Sequence, residues 1–82
     1  LDPLPSALLK QGFAELFTRQ PLEAVPGRVL LLKWGGRAGH IAICTEGGED
    51  GAAVHARPGA GVRETRLRAL VQRFPVDSVW SF

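Results

Sequence analysis

Three side chains in this sequence can do nucleophilic or acid–base chemistry near neutral pH: the imidazoles of His40 and His55, and the thiol of Cys44, the single cysteine. Imidazole titrates close to neutrality and serves as a general base, while a thiol attacks only as its thiolate. Spacing decides whether they form a working set. Residues 40 to 45 read as a strand, and side chains on a strand alternate between faces. His40, Ala42 and Cys44 then share one face, and Ile41 and Ile43 point to the other. At about 3.3 Å per residue, His40 and Cys44 lie roughly 13 Å apart along the strand, whereas a base acts within about 3.2 Å of the proton it takes. The two are therefore not a catalytic pair, and Cys44 reads as a small buried residue. Taken singly, each histidine also reads as a strand residue satisfied by backbone; only a partnered one is a functional candidate.

The elements that must position these residues follow from hydrophobic spacing and turn signals. Residues 6 to 18 predict an amphipathic helix, capped by Ser6 after Pro5, with Leu8, Leu9, Phe13, Leu16 and Phe17 at helical spacing. Gly12 weakens it by about 1 kcal/mol relative to alanine, and Gln20-Pro21 ends it. Residues 22 to 27 form a connector closing on the turn pair Pro26-Gly27. The apolar run from Arg28 to Trp34 predicts a buried strand. Residues 35 to 39 turn the chain into the His40 strand, making a hairpin. After the polar loop 46 to 51, a third strand runs from Ala52 to Arg57 and ends in Pro58-Gly59; residues 62 to 65 suggest a fourth. Leu67, Leu70 and Val71 have helical spacing over 66 to 73. Residues 76 to 82 alternate apolar with polar, as a half-buried closing strand should. The fold class is α+β: a small antiparallel sheet or barrel with the N-terminal helix on its open side and a short helix before the last strand.

Composition narrows the function classes. A chain of 82 residues makes a single domain, 1–82, with a thin core, since a domain this size buries only roughly 60 to 65 % of its unfolded surface. Ten basic and eight acidic residues leave a net charge of +2. Arg57, Arg63, Arg66, Arg68 and Arg73 could form one positive face, but neither clustering nor aromatic stacking platforms suit nucleic acid, so no nucleic-acid partner is expected. A single cysteine excludes an internal disulfide. Two histidines without C-x-x-C or H-x-x-x-H partners fall short of the three or four ligands of a zinc site, so neither metal nor cofactor is expected. No apolar run reaches the roughly 20 residues of a membrane span, and no signal peptide is visible. The chain begins at Leu1 rather than methionine, which suggests a processed or truncated product.

Read in order, Pro26-Gly27-Arg28-Val29-Leu30-Leu31-Leu32, then Gly39-His40-Ile41-Ala42-Ile43, then Ala53-Val54-His55-Ala56, the sequence resembles the second half of NlpC/P60 cysteine peptidases. In that family a Pro-Gly-Asp turn opens a strand, a Gly-His-Val-Gly-Ile strand carries the general base, and an Ile-His-Ala strand brings the third polar residue. Within the family it looks closest to the tail-associated cell-wall peptidases of bacteriophages and gene transfer agents. Trp34, the stretch from His55 to Glu64, and Trp80 to Phe82 are similar to their Trp-containing strand, His-Ala-x-x-Gly-x-x-Val-x-Glu segment and aromatic C-terminal strand. The resemblance spans residues 22 to 82 and implies the papain-like fold of that half. It implies that His40 is the base that deprotonates a cysteine and that His55 orients it. The reaction would be hydrolysis of an amide in peptidoglycan stem peptides, the partners other tail-tip subunits, and the location a virion tail or cell envelope.

Departures from the family pattern are equally specific. The family's nucleophile precedes these strands in an Asp-Cys-x-Gly motif at a helix start, where the helix N-terminus helps hold a thiolate; no cysteine precedes His40 here. Arg28 stands where the family often has Asp, and Ala42 where it often has Gly. Three readings follow: the base-carrying part of a peptidase whose nucleophile lies upstream, with the 82 residues inactive alone; a non-catalytic structural tail-tip component retaining the peptidase fold; or a small barrel that binds peptide or glycan without chemistry.

Overall fold

The buried run Val29-Leu30-Leu31-Leu32 builds the centre of the molecule, with both faces of its strand covered. The structure, a computed structural model, describes residues 6–48, 50–57 and 59–82. In chain order the elements are α1 (Ser6–Leu16), β1 (Thr18–Gln20), β2 (Val29–Trp34), β3 (Arg37–Glu46), β4 (Ala52–Arg57), β5 (Gly61–Arg66), α2 (Leu67–Arg73) and β6 (Val76–Ser81). The strands form one six-stranded antiparallel sheet in the order β1-β6-β2-β3-β4-β5.

The sheet is open, so the expected α+β class holds while the barrel alternative does not. β1 and β5 are edge strands and do not meet. β5 presents Arg63, Glu64 and Arg66 to solvent, and charged edge strands of this kind oppose further pairing. The first helix is shorter than expected, ending at Leu16, because Thr18-Arg19-Gln20 leaves it to pair with Ser81-Trp80-Val79. Pro5, which precedes the expected cap Ser6, lies outside the described residues, as does Pro58. Of the helix's apolar stripe, Phe13 is buried and Phe17 stacks on it with ring centroids 5.1 Å apart. Leu8 and Leu16 are exposed.

Each face of the sheet has its own core. Phe13 of α1 packs with Val29, Leu31, Ala38 and Trp80 on one side. Leu67, Leu70 and Phe74 pack with Leu30, Leu32, Ala42, Cys44, Ala53 and Val79 on the other. The turn between β2 and β3 is shorter than expected: Gly35 and Gly36 alone make it, with φ of 61° and 79°, and a two-residue hairpin turn with both central φ positive favours glycine. β3 therefore begins at Arg37. Within it a register shift pairs Lys33 with Ala38 but Leu32 with His40, which leaves Gly39 as the extra residue of a bulge. That bulge separates the two faces on one strand, with Ala38 on the α1 side and His40, Ala42 and Cys44 on the α2 side.

A second bulge shapes the link between α1 and the sheet. Leu31 pairs with Ser78 and Leu32 with Val76, leaving Asp77 between them, and Lys10 of α1 reaches its carboxylate at 2.9 Å. Burial pushes the Asp77 carboxyl up, but hydrogen bonds from Lys10 and Ser78, with the charges of Lys10 and Lys33, outweigh that and hold it below its ordinary value. A carboxyl lowered in the folded state contributes stability above its unfolded value, near pH 4, and loses it as pH falls through the lowered folded value. Asp77→Asn is therefore expected to cost about 1 kcal/mol in urea unfolding near pH 7. The gap from wild type should narrow as pH falls below about 4 and close once Asp77 is itself protonated in the folded protein.

Candidate active site

His40 and His55 sit on neighbouring antiparallel strands. Ala42 is directly opposite His55, so His40, two residues earlier on the same face, is its diagonal neighbour across the β3–β4 ladder, a separation that long and ring-bearing side chains span. The two imidazoles meet: His40 Nε2 lies 3.0 Å from His55 Nδ1, with the rings nearly perpendicular at 83°. Both are buried, at 7 % and 4 % exposure. The Gly39 bulge matters here, because without it the stretch before His40 would keep its alternation and Ala38 would share the imidazole's face. Bulges re-aim side chains in this way beside functional sites.

A third group continues the line. His55 Nε2 lies 2.8 Å from Thr65 Oγ1. β4 and β5 form a hairpin in which Arg63 is directly opposite His55 and Thr65 is opposite Ala53, so Thr65 is again a diagonal neighbour. Three ring or hydroxyl side chains thus run diagonally across β3, β4 and β5. Phe74, which follows α2, lies over His40 with ring centroids 4.5 Å apart and planes tilted by 31°. Trp34 meets the same imidazole edge-on at 5.8 Å. Trp34 is half exposed. A cavity of about 230 Å³ opens at the far end, lined by His55, Thr65, Ala69, Leu70, Arg73 and Phe74.

Cys44 takes no part. It shares the His40 face, as strand alternation requires, but it is packed in the α2-side core at 1 % exposure. Its thiol donates to the Glu46 carbonyl at 3.2 Å. Burial pushes that thiol above its ordinary value, and the opposing influence of the Glu46 backbone does not reverse it. A buried, protonated thiol is a poor nucleophile. Among the described side chains, the arginines that could have formed one positive face do not share one: Arg63 and Arg66, three residues apart on β5, point to opposite sides of the sheet. Arg68 and Arg73 lie at opposite ends of α2.

Sequence reasoning brought His40 and His55 together through motif order and missed Thr65 and Phe74. Thr65 depended on register: the observed pairing is centred on Gly59 and puts Arg63 and Thr65 on the face of His55, whereas a two-residue turn at Pro58-Gly59 would put Val62 and Glu64 there. Phe74 was not legible, because nothing local reveals where a short helix sets down on a sheet. A groove of about 500 Å³ between residues 22–24, α2 and β6, lined mostly by apolar side chains, contains neither histidine and is separate from this site. Among the described residues no group of three or more His, Cys, Asp or Glu side chains could hold a metal ion, and no helix is long and apolar enough to cross a membrane.

The arrangement can perform one kind of chemistry, proton transfer through a positioned imidazole. Nε2 of His40 is engaged by His55. An imidazolium at His40 would keep its Nε2–H donated to His55 Nδ1, the relation by which a third group orients a catalytic base. No protein-family model, curated protein or solved structure matches the chain.

Proposed function

We propose that these residues are the base-carrying part of an NlpC/P60-like cysteine peptidase that hydrolyses peptidoglycan stem peptides in a phage-like tail or cell-envelope setting. The papain-like arrangement of that family is part of the proposal. The observation that carries it is the 3.0 Å contact between His40 Nε2 and His55 Nδ1. It joins the two histidines that the family resemblance nominates as base and orienting group. The nucleophile is a cysteine supplied from a segment preceding Leu1. His40 takes the thiol proton, the thiolate attacks the amide carbonyl, and His40 returns the proton to the leaving amine. Water then hydrolyses the thioester with His40 again as base.

The test is a product assay. Full-length protein incubated with soluble muropeptides is expected to give a new free amine and a matching cleaved stem peptide by mass spectrometry, and prior alkylation of thiols should stop the reaction. The 82-residue chain alone should give no product. Cleavage that survives alkylation, or a gene that encodes no cysteine ahead of Leu1, overturns the reading in favour of a non-catalytic tail-tip component with the same fold.

A further inference from the structure

The face of the sheet opposite the imidazoles is only half covered. Phe13 of α1 packs with Val29, Leu31, Ala38 and Trp80, so the helix lies over β6 and β2 and reaches only the start of β3. Beyond it Ile41 and Ile43 are 44 % and 49 % exposed, and Val62 is 71 % exposed. Register joins them into one surface: Ile43 is opposite Val54, which is partly buried, and Val62 is opposite Ala56, which is exposed. A contiguous apolar surface with a polar rim marks an interaction site.

A flank of α1 walls this floor. At about 100° per residue, Lys10 is turned about 60° to one side of Phe13 and Leu16 about 60° to the other. Lys10 meets Asp77 of β6, so Leu16 is turned toward β3, with Gly12 and Leu8 further round the same flank. Leu8 and Leu16 are exposed, and a β-carbon at Gly12 would meet nothing within 4 Å, which leaves a notch between two leucines. The result is an apolar corner whose floor is three strands, or roughly 14 Å, wide. A second helix packed on α1 at the usual spacing of about 8 to 10 Å would lie over β3 and β4.

The rim of the corner is acidic. Glu15 is exposed on α1. Glu64 follows Val62 on the same face of β5 and accepts the Thr45 hydroxyl at 2.8 Å. Glu46 is opposite Ala52, in one cross-strand row with Arg66. Arg66 is the one cation at this rim among the described residues, because Lys10 and Lys33 act on Asp77 on the β6 side. We propose that this corner docks a basic amphipathic helix of a separate polypeptide, its apolar stripe on Ile41, Ile43 and Val62 and its flanking lysines or arginines facing Glu15 and Glu64. The same carboxylates oppose an anionic membrane surface, and a second copy's α1 is a poorer fit because its exposed side carries Glu15. The surface lies on the other side of the sheet from His40 and His55, so it does not depend on the peptidase reading.

The test is a titration of the full-length protein, followed by methyl ¹H–¹³C spectra, with a model peptide of about 15 residues carrying leucine on one helical face and lysine on the other. Saturable shifts are expected at Leu8, Leu16, Ile41, Ile43 and Val62. A peptide of the same pattern with glutamate for lysine should bind about tenfold more weakly. Val62→Lys, at an exposed position, should weaken the leucine–lysine peptide by about tenfold and leave the Leu31 methyl signals in place. Glu15→Lys combined with Glu64→Lys should reverse the preference between the two peptides. Shifts confined to other residues, equal affinity for both peptides, or undiminished affinity in Val62→Lys overturn the proposal. So does self-association of the protein through Ile43 and Val62, or burial of these methyls by another part of the full-length protein before peptide is added.

Discussion

Replacing His40 with alanine in the full-length protein is expected to lower kcat/KM on a stem peptide by about 10³-fold or more. General acid–base catalysis alone contributes about 10² to 10⁴. A base that also generates the nucleophile has a larger share, because without it the thiol stays protonated near neutral pH. Loss of folding is not the expected cause. The substitution leaves a void beneath Phe74 and takes a partner from His55 Nδ1, at a cost of about 2 kcal/mol. Domains of this size hold on the order of 4 to 12 kcal/mol of stability, so the variant should still unfold cooperatively. His55→Ala should lose less than His40→Ala, since His55 touches the base and not the substrate.

The largest stability effect is expected at Gly51, away from the imidazoles. A β-carbon there would overlap the Glu46 carbonyl oxygen and lie 2.7 Å from Leu67 Cδ1 and 3.0 Å from the Gly48 oxygen. Two of those neighbours are backbone and cannot swing aside. Gly51 also accepts the Leu67 N–H at 2.9 Å, so any shift of the loop is passed to the first turn of α2, and through α2 to Phe74 above His40. Overpacking against backbone costs about 3 kcal/mol. Gly51→Ala is therefore expected to lower Tm by about 12 to 24 °C, using the usual 4 to 8 °C per kcal/mol for small domains. An unchanged Tm would mean that the loop has more room than this geometry allows.

Much of the fold was legible because local patterns agree with the tertiary arrangement. The run Val29 to Leu32 needed a strand covered on both faces, Gly35-Gly36 needed a tight turn, and the alternation from His40 to Cys44 placed three side chains on one face. Residues outside such patterns were not legible. Thr18-Arg19-Gln20 has no apolar signature and becomes a strand only because β6 offers it an edge. Nothing within residues 76 to 82 shows that β6 inserts between β1 and β2, since strand order depends on contacts distant in sequence. The Gly39 bulge is equally silent, because a glycine after a turn reads as more turn. For the site, motif order nominated both histidines and strand geometry excluded Cys44. The Thr65 hydroxyl escaped notice because a lone threonine at a strand end has no motif, only a register.

The most direct test of His40 as the activating base is the pH dependence of thiol alkylation in the full-length protein, measured for the upstream cysteine in wild type and in His40→Ala. If His40 holds that cysteine as a thiolate, the wild-type alkylation rate should already be near its plateau below about pH 7, and in His40→Ala it should follow an ordinary thiol with a pKa of about 8.5. Superimposable profiles for the two proteins would contradict the assignment.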